Sequence, residues 1–180
     1  YDFFIFNSNK ISMKILLTGG CGFIGSHLTE YLVKKGHKLT VFDKYNSTGS
    51  IGWLENSDIK KDVEFILGDV RDFDLINKTS KNKNCILHLA ALIGIPYSYS
   101  SPLAYLRTNV EGTNNILEIC SEFKKKVLIA SSSEIYGLNY KKQLNERDIS
   151  IIGSSKIFRW SYAISKLIDE HLALAFHSEK

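Results

Sequence analysis

Long apolar stretches are missing from this 180-residue chain. No run approaches the ~18 residues that a membrane-spanning helix requires, which argues against a membrane protein. Cysteine is scarce: Cys21, Cys85 and Cys120 are widely spaced and form no C-x-x-C pair. Such an odd set argues against a disulfide framework, points to a reducing cytoplasmic setting and suggests no metal site. Neither sign of charge dominates, the formal net charge being +4. The lysines fall in short groups, among them Lys34-Lys35, Lys60-Lys61, Lys124 to Lys126 and Lys141-Lys142. Without a single basic helix or an aromatic-basic module these read as solvated surface, so nucleic acid is not an expected partner. Methionine occurs once, at Met13. Ahead of it Phe3-Phe4-Ile5-Phe6 is apolar but short and lacks a basic leader, unlike a signal peptide. The expectation is that the native start is Met13 and that residues 1–12 are a non-native or disordered leader.

What the chain does have is an ordinary globular composition, 44% hydrophobic and 23% charged, and enough length for one sizeable core. Its organising stretch is Met13 to Leu28, MKILLTGGCGFIGSHL. Ile15-Leu16-Leu17 has the size of a buried strand, and Phe23, Ile24, Leu28, Tyr31 and Leu32 recur with helical period. Gly19, Gly22 and Gly25 therefore lie on the turn from a strand into a helix. That is the context of a dinucleotide site: glycines allow a tight turn, close approach of a pyrophosphate, and close helix–strand packing. The helix N-terminus then offers free N–H groups to the phosphates.

Further strands are expected at Lys38 to Phe42, Val63 to Leu67, Cys85 to Ala91 and Val127 to Ala130, with helices between them. Asp43 closes the second strand about 20 residues beyond the glycine turn, where a carboxylate binds ribose hydroxyls and repels a 2′-phosphate. NAD is thus favoured over NADP, although Lys44 stands next to it. Asp72 is an expected N-cap, with Leu75 and Ile76 on the inner face of its helix. Small Ala90 and Ala91, after Leu89, would let the chain pass close to a cofactor. Pro96 is expected to keep Leu92 to Ser98 from being helical. Ser101-Pro102 opens a long helix with an apolar face of Leu103, Leu106, Val110, Ile116, Leu117 and Cys120. Alternating strands and helices imply an α/β, Rossmann-type, doubly wound parallel sheet of order 3-2-1-4-5, with the ligand at the switch point.

The sequence T-G-G-x-G-F-I-G-S-H-L at the turn resembles the fingerprint of the extended short-chain dehydrogenase/reductase family, the NAD-dependent nucleotide-sugar epimerases and dehydratases. The resemblance runs from Met13 to the end. It implies that Phe23, Ile24, Leu89, Ala90 and Ala91 line the cofactor, that Asp69 and Val70 of G-D-V-R-D meet the adenine, and that Asn109 of T-N-V-E-G-T holds the neighbouring strand. His88 in H-L-A-A is then a strand residue under the cofactor. Tyr45 to Glu55 resembles a segment of bacterial 4,6-dehydratases; a loop pinned by one buried tryptophan is the other reading.

Tyr162 and Lys166 lie four apart on a helix and share a face. They match the Y-x-x-x-K pair of the family, following Ser131-Ser132-Ser133-Glu134-Ile135-Tyr136-Gly137. The implied chemistry is oxidation of a sugar C4 hydroxyl by NAD. Tyr162 is the base, its phenol acidified by the Lys166 ammonium; Lys166 also binds the nicotinamide ribose, and Ser132 steadies the proton. Glu134 discriminates among the later steps. In S-T-D-E-x-Y-G of 4,6-dehydratases an aspartate protonates the leaving group and the glutamate removes the C5 proton; here Ser133 replaces the aspartate. The motifs narrowly favour 4,6-dehydration, with 4-epimerisation or UDP-glucuronate decarboxylation as alternatives, the last because Arg159-Trp160-Ser161-Tyr162 resembles decarboxylase-like members. Family members run on into a C-terminal lobe that grips the nucleotide-sugar. This chain is therefore expected to be truncated, poor at substrate binding, and a homodimer through the helices starting near Ser101 and Arg159. An NAD-binding module without catalysis is the remaining alternative.

Overall fold

Five short apolar runs lie side by side in a parallel sheet of order β3-β2-β1-β4-β5 in a computed structural model described over residues 12–45 and 49–179. These are β1 (Lys14–Thr18), β2 (Lys38–Asp43), β3 (Val63–Leu67), β4 (Cys85–His88) and β5 (Lys126–Ile129). The order is the one expected from the alternation of elements. The register sets Leu16 beside Thr40 on one side and Ile86 on the other. Among the described residues five α-helices connect or follow the strands: α1 (Phe23–Lys34), α2 (Phe73–Ser80), α3 (Ile95–Ser100), α4 (Pro102–Glu122) and α5 (Ser161–Glu179).

The period-2 alternation of the strands divides the core into two. Ile15, Leu17, Leu39, Val41 and Leu87 point to the α1 side and pack with Leu32, Leu54 and Val63. Leu16, Phe42 and Ile86 point to the other side and pack with Ile76 of α2 and Ile116, Ile119 and Cys120 of α4. Covering both faces lets the central strands be apolar throughout. Because β1 is followed by β2 on one side and β4 lies on the other, the carboxyl ends of β1 and β4 diverge into a crevice.

Several expectations are corrected. Phe23 and Tyr31 do not belong to the inner face of α1: Phe23 is 82% exposed, and the buried residues are Gly25, Ser26, Thr29 and Leu32. The helix lies so close to the glycine turn that only small residues fit there. Pro96 does not prevent a helix either. It occupies the first turn of α3, where its missing N–H has no intrahelical partner to lose. Of the expected face of α4, Ile116, Leu117 and Cys120 are buried, but Leu103 is 61% exposed, and the buried line is completed by Tyr105, Thr108, Asn109, Gly112, Thr113 and Ile119. In the Gly52–Asn56 turn Leu54 is the buried pin, and Trp53 lies outside with its Nε1 donating to Glu30 at 3.2 Å. The anticipated N-cap holds: Asp72 Oδ1 accepts from Leu75 N at 3.0 Å. Residues 1–11 of the expected leader, and residues 46–48 of the Tyr45–Glu55 segment, lie outside the described residues.

Candidate active site

The glycine turn is built on contacts that tolerate no side chain. Gly19, at φ +73°, donates its N–H to the Phe42 carbonyl at 3.0 Å, and a Cβ there would lie 2.7 Å from Ala90 N. A Cβ on Gly25 would lie 2.1 Å from the Gly19 carbonyl oxygen. The turn delivers the chain into α1 with Gly22 as N-cap, no side-chain cap and no acidic residue in the first turn. The opening N–H groups of the helix are thus left for a ligand.

Asp43 stands beside this turn and ties it down. Its Oδ2 accepts from Cys21 N and its Oδ1 from Tyr45 N, each at 2.9 Å. Burial, then Asp43 and Glu55, push the Cys21 thiol up to about 12, so it is no nucleophile. Asp69 is gripped by Arg71 through the guanidinium, at 2.6 and 3.0 Å, and through the backbone N–H. Lys44 adds a contact at 3.0 Å. Arg71 first, with help from Lys44, holds the Asp69 carboxyl well below the usual carboxylate range. The positive charge of Lys44, which weighs against NAD in the sequence, is therefore paired.

A cleft of about 520 Å³ opens over the turn. Of the residues expected to bind a cofactor, it brings together Gly19, Gly22, Phe23, Ile24, Gly25, Asp43, Val70, Leu89, Ala90, Ala91, Tyr162 and Lys166. Asp69 and Asn109 do not line it. Asn109 holds not a strand but the chain just beyond β4: it accepts from Leu92 N at 2.7 Å and donates to Leu92 O and to Ser165 Oγ, each at 3.1 Å. Val70 lines the cleft but is also buried in the core against Gly112.

At the far end of the cleft Tyr162 and Lys166 occupy successive turns of α5, as the spacing implies. Their electrostatics differ from the expectation. Burial raises the Tyr162 phenol, Ser132 opposes this by hydrogen bonding, and Glu134 and Asp169 raise it further. Lys166 is buried with its Nζ 3.1 Å from Asp169 Oδ2, so its charge is matched by that carboxylate. Asp169 is wholly buried, and burial raises its carboxyl against the pull of Lys166. The neighbouring Thr113 hydroxyl donates to the Asn109 carbonyl at 2.8 Å and also acts to lower the Asp169 carboxyl. Sequence reading missed Asp169. Its signal is an acid three residues beyond a lysine on an otherwise apolar stretch, a pairing distance on a helix.

His88 confirms its structural role. The ring is buried between Thr18 Oγ1, at 2.7 Å, and Thr113 Oγ1, at 3.1 Å. Burial first, then Lys166, pushes the imidazole down to about 3 from 6.5. An unfolded imidazole binds a proton below its ordinary value of about 6.5, whereas this one stays neutral, so acid favours the unfolded chain. Stability is expected to fall as pH drops below 6.5 and toward 3. Imidazole NMR shifts checked at pH 5 should show His88 neutral; a charged ring in the folded chain would contradict this.

Tyr162 is also a wall of a second, smaller pocket of about 220 Å³, lined further by Tyr105, Glu134 and Arg159. Tyr105 lies edge-on to Tyr162, with ring centroids 6.3 Å apart, and burial first pushes its phenol up to about 12. Ser132 Oγ accepts from Glu134 N at 3.2 Å, fixing the Ser133–Tyr136 turn. Both Glu134 oxygens accept from Arg159, at 2.6 and 3.1 Å, and this partner keeps the carboxyl below its ordinary range. Among the described residues no group of three or more His, Cys, Asp or Glu could hold a metal ion. No helix among them is long and apolar enough to cross a membrane.

The family described as GDP-mannose 4,6 dehydratase matches residues 16–180. This chain belongs to that family. A UDP-N-acetyl-alpha-D-glucosaminuronate decarboxylase of Bacillus cytotoxicus is 35% identical over 91% of the chain and 50% of its own length. A dTDP-D-glucose 4,6-dehydratase of Dictyostelium discoideum is 34% identical over 91% of the chain and 40% of its own. Among solved structures, MoeE5 in complex with UDP-glucose and NAD superposes with a TM-score of 0.74 at 33% identity, over 92% of this chain and 50% of that one. The chain spans about half the length, or less, of these relatives.

Proposed function

We propose that this chain is the NAD-binding portion of a nucleotide-sugar enzyme whose first step is oxidation of the sugar at C4. The observation that carries the reading is Tyr162, shared by the large cleft over the glycine turn and the small pocket beyond it. A phenol in that position can face a dinucleotide on one side and a sugar on the other. The residues of the cleft suit a dinucleotide: the turn at Gly19 and Gly25 has no room for a Cβ, the start of α1 is uncapped, and a carboxylate stands at Asp43. NAD, when bound, supplies the acceptor for the hydrogen and electron pair that leave C4.

This chain's own residues then handle the proton. Tyr162 takes it from the C4 hydroxyl, with Ser132 acting to lower the phenol. A buried phenol is too basic to lie ionised at neutral pH, so positive charge must be brought to it. Lys166, one turn along α5 and now matched by Asp169, is the residue placed to supply it. For the later step, 4,6-dehydration draws on Glu134, but Ser133 offers no acid and Glu134 is bridged to Arg159. C4 oxidation is the step common to dehydration, epimerisation and decarboxylation. Association of two copies through α4 and α5 belongs to the same reading, since Leu103 and Leu174 lie exposed on these helices.

Tyr162→Phe removes one oxygen and keeps the ring against Tyr105. It is expected to slow sugar-dependent reduction of NAD by about 10²- to 10⁴-fold, the usual worth of a positioned acid–base group, while NAD still binds. Absorbance of the reduced nicotinamide measures the rate, and an unchanged rate would overturn the assignment.

A further inference from the structure

The small pocket beyond Tyr162 holds one feature that C4 oxidation does not use. Arg159 lies in the Phe158–Trp160 turn that leads directly into α5, three residues before Tyr162. Its guanidinium meets Glu134 end-on, with the two terminal nitrogens each giving one N–H. The Nε–H and the second N–H on each terminal nitrogen have no protein partner among the described residues. The carbon of the guanidinium lies over the Trp160 ring, 4.9 Å from its centroid. Glu134 and Arg159 are the charged residues of the pocket, whose other walls include Ile95, Tyr105 and Tyr162.

A guanidinium used at one end retains a second edge, Nε–H with an adjacent N–H, that matches the two oxygens of a carboxylate. In a pyranose ring the C6 substituent is attached to the carbon next to C4. A sugar that presents its C4 hydroxyl to Tyr162 therefore carries its C6 group into the neighbourhood of Tyr162, where Arg159 stands. A C6 carboxylate gains charge-assisted hydrogen bonds there, whereas a C6 hydroxymethyl group gains neutral ones. We propose that Arg159 is the receptor for a C6 carboxylate, so that the sugar of this enzyme is a hexuronic acid. Glu134 holds the guanidinium in place from its other end. The proposal rests on the reading that Tyr162 faces C4, and a C6 carboxylate has no hydroxyl to leave in a 4,6-dehydration.

The test uses two probes that differ only at C6, glucuronic acid 1-phosphate and glucose 1-phosphate, so neither the nucleotide nor its binding site enters. Affinities for the NAD-loaded chain are measured by NMR titration up to millimolar concentration, following the side-chain Nε–H signals of arginine. The uronate is expected to bind about 10- to 100-fold tighter and to shift the Arg159 signal, the range that hydrogen bonds to a charged group supply. Arg159→Gln is expected to erase the preference, and Arg159→Lys, which keeps the charge without the fork, to retain a small part of it. Glu134→Gln is expected to preserve or increase it, because a competing negative charge is gone. Equal affinities, no binding of the uronate, or a preference that survives Arg159→Gln would each overturn the proposal; the last is what general attraction of anions would give. The outcome is separable from that of C4 oxidation. Equal binding with a damaging Tyr162→Phe refutes only the carboxylate receptor, while uronate preference with a harmless Tyr162→Phe refutes only the role of the tyrosine.

Discussion

Gly25→Ala is expected to lower NAD affinity by about 100-fold or more, corresponding to roughly 2.8 kcal/mol at 1.4 kcal/mol per tenfold. The added methyl would stand 2.1 Å from the Gly19 carbonyl oxygen and 2.7 Å from the Gly20 Cα. Both obstacles are backbone, so neither can rotate aside. The turn has to open or α1 has to slide outward, and either movement displaces the N–H groups that would meet the pyrophosphate. The Gly19 carbonyl also accepts from Gly22 N at 3.2 Å, so the disturbance reaches the N-cap itself. The same crowding is expected to cost about 1–3 kcal/mol of stability, the usual range for overpacking. Calorimetric titration with NAD and urea unfolding measure the two effects separately. Gly22→Ala is the informative contrast, because the tightest contact of its Cβ is 3.3 Å from the Gly19 oxygen. Equal losses at the two positions would show that the clash is not what governs binding.

Asp169→Ala is expected to cost about 3–5 kcal/mol of folding stability, the range for removing one member of a buried ion pair. Lys166 is almost wholly buried and its ammonium has Asp169 as its ion-pair partner. Without the carboxylate the amine must be buried as an uncompensated charge, give up its proton, or draw water into the core. Replacing the pair together, by Lys166→Met with Asp169→Leu, should recover much of the loss, because apolar residues of similar volume often substitute well for a buried pair. Urea denaturation of the single and double variants gives the coupling directly. A cost for Asp169→Ala below about 1 kcal/mol, the range of exposed pairs, would mean that the amine is not held as described.

The parallel order of the sheet was legible because the strands are short, apolar and separated by helical stretches, and because crossover handedness leaves few alternatives. The glycine turn was legible for a related reason: its constraint is local, and Gly19, Gly22 and Gly25 carry it in adjacent residues. Burial on the helices was harder. Sequence periodicity takes the apolar residue as the inner one, yet α1 buries Ser26 and Thr29 and exposes Phe23 because the backbones approach closely. At the site, Tyr162 and Lys166 could be paired from their spacing on one helix. The partners of Glu134 and Asn109 could not, since Arg159 and Leu92 reach them only when the chain returns from 25 and 17 residues away. Asp169 was within range of Lys166 in the sequence, but its burial depends on α4 covering that face of α5.

Asp43 has a consequence for redesign. Its two oxygens already act as a strut between the first loop and the end of the second strand, holding Cys21 N and Tyr45 N before any adenosine arrives. Shortening or neutralising it to admit a phosphorylated ribose would therefore also untie the loop that must grip the rest of the molecule. Retuning this crevice calls for at least two coordinated changes, one to make room and one to replace the lost brace.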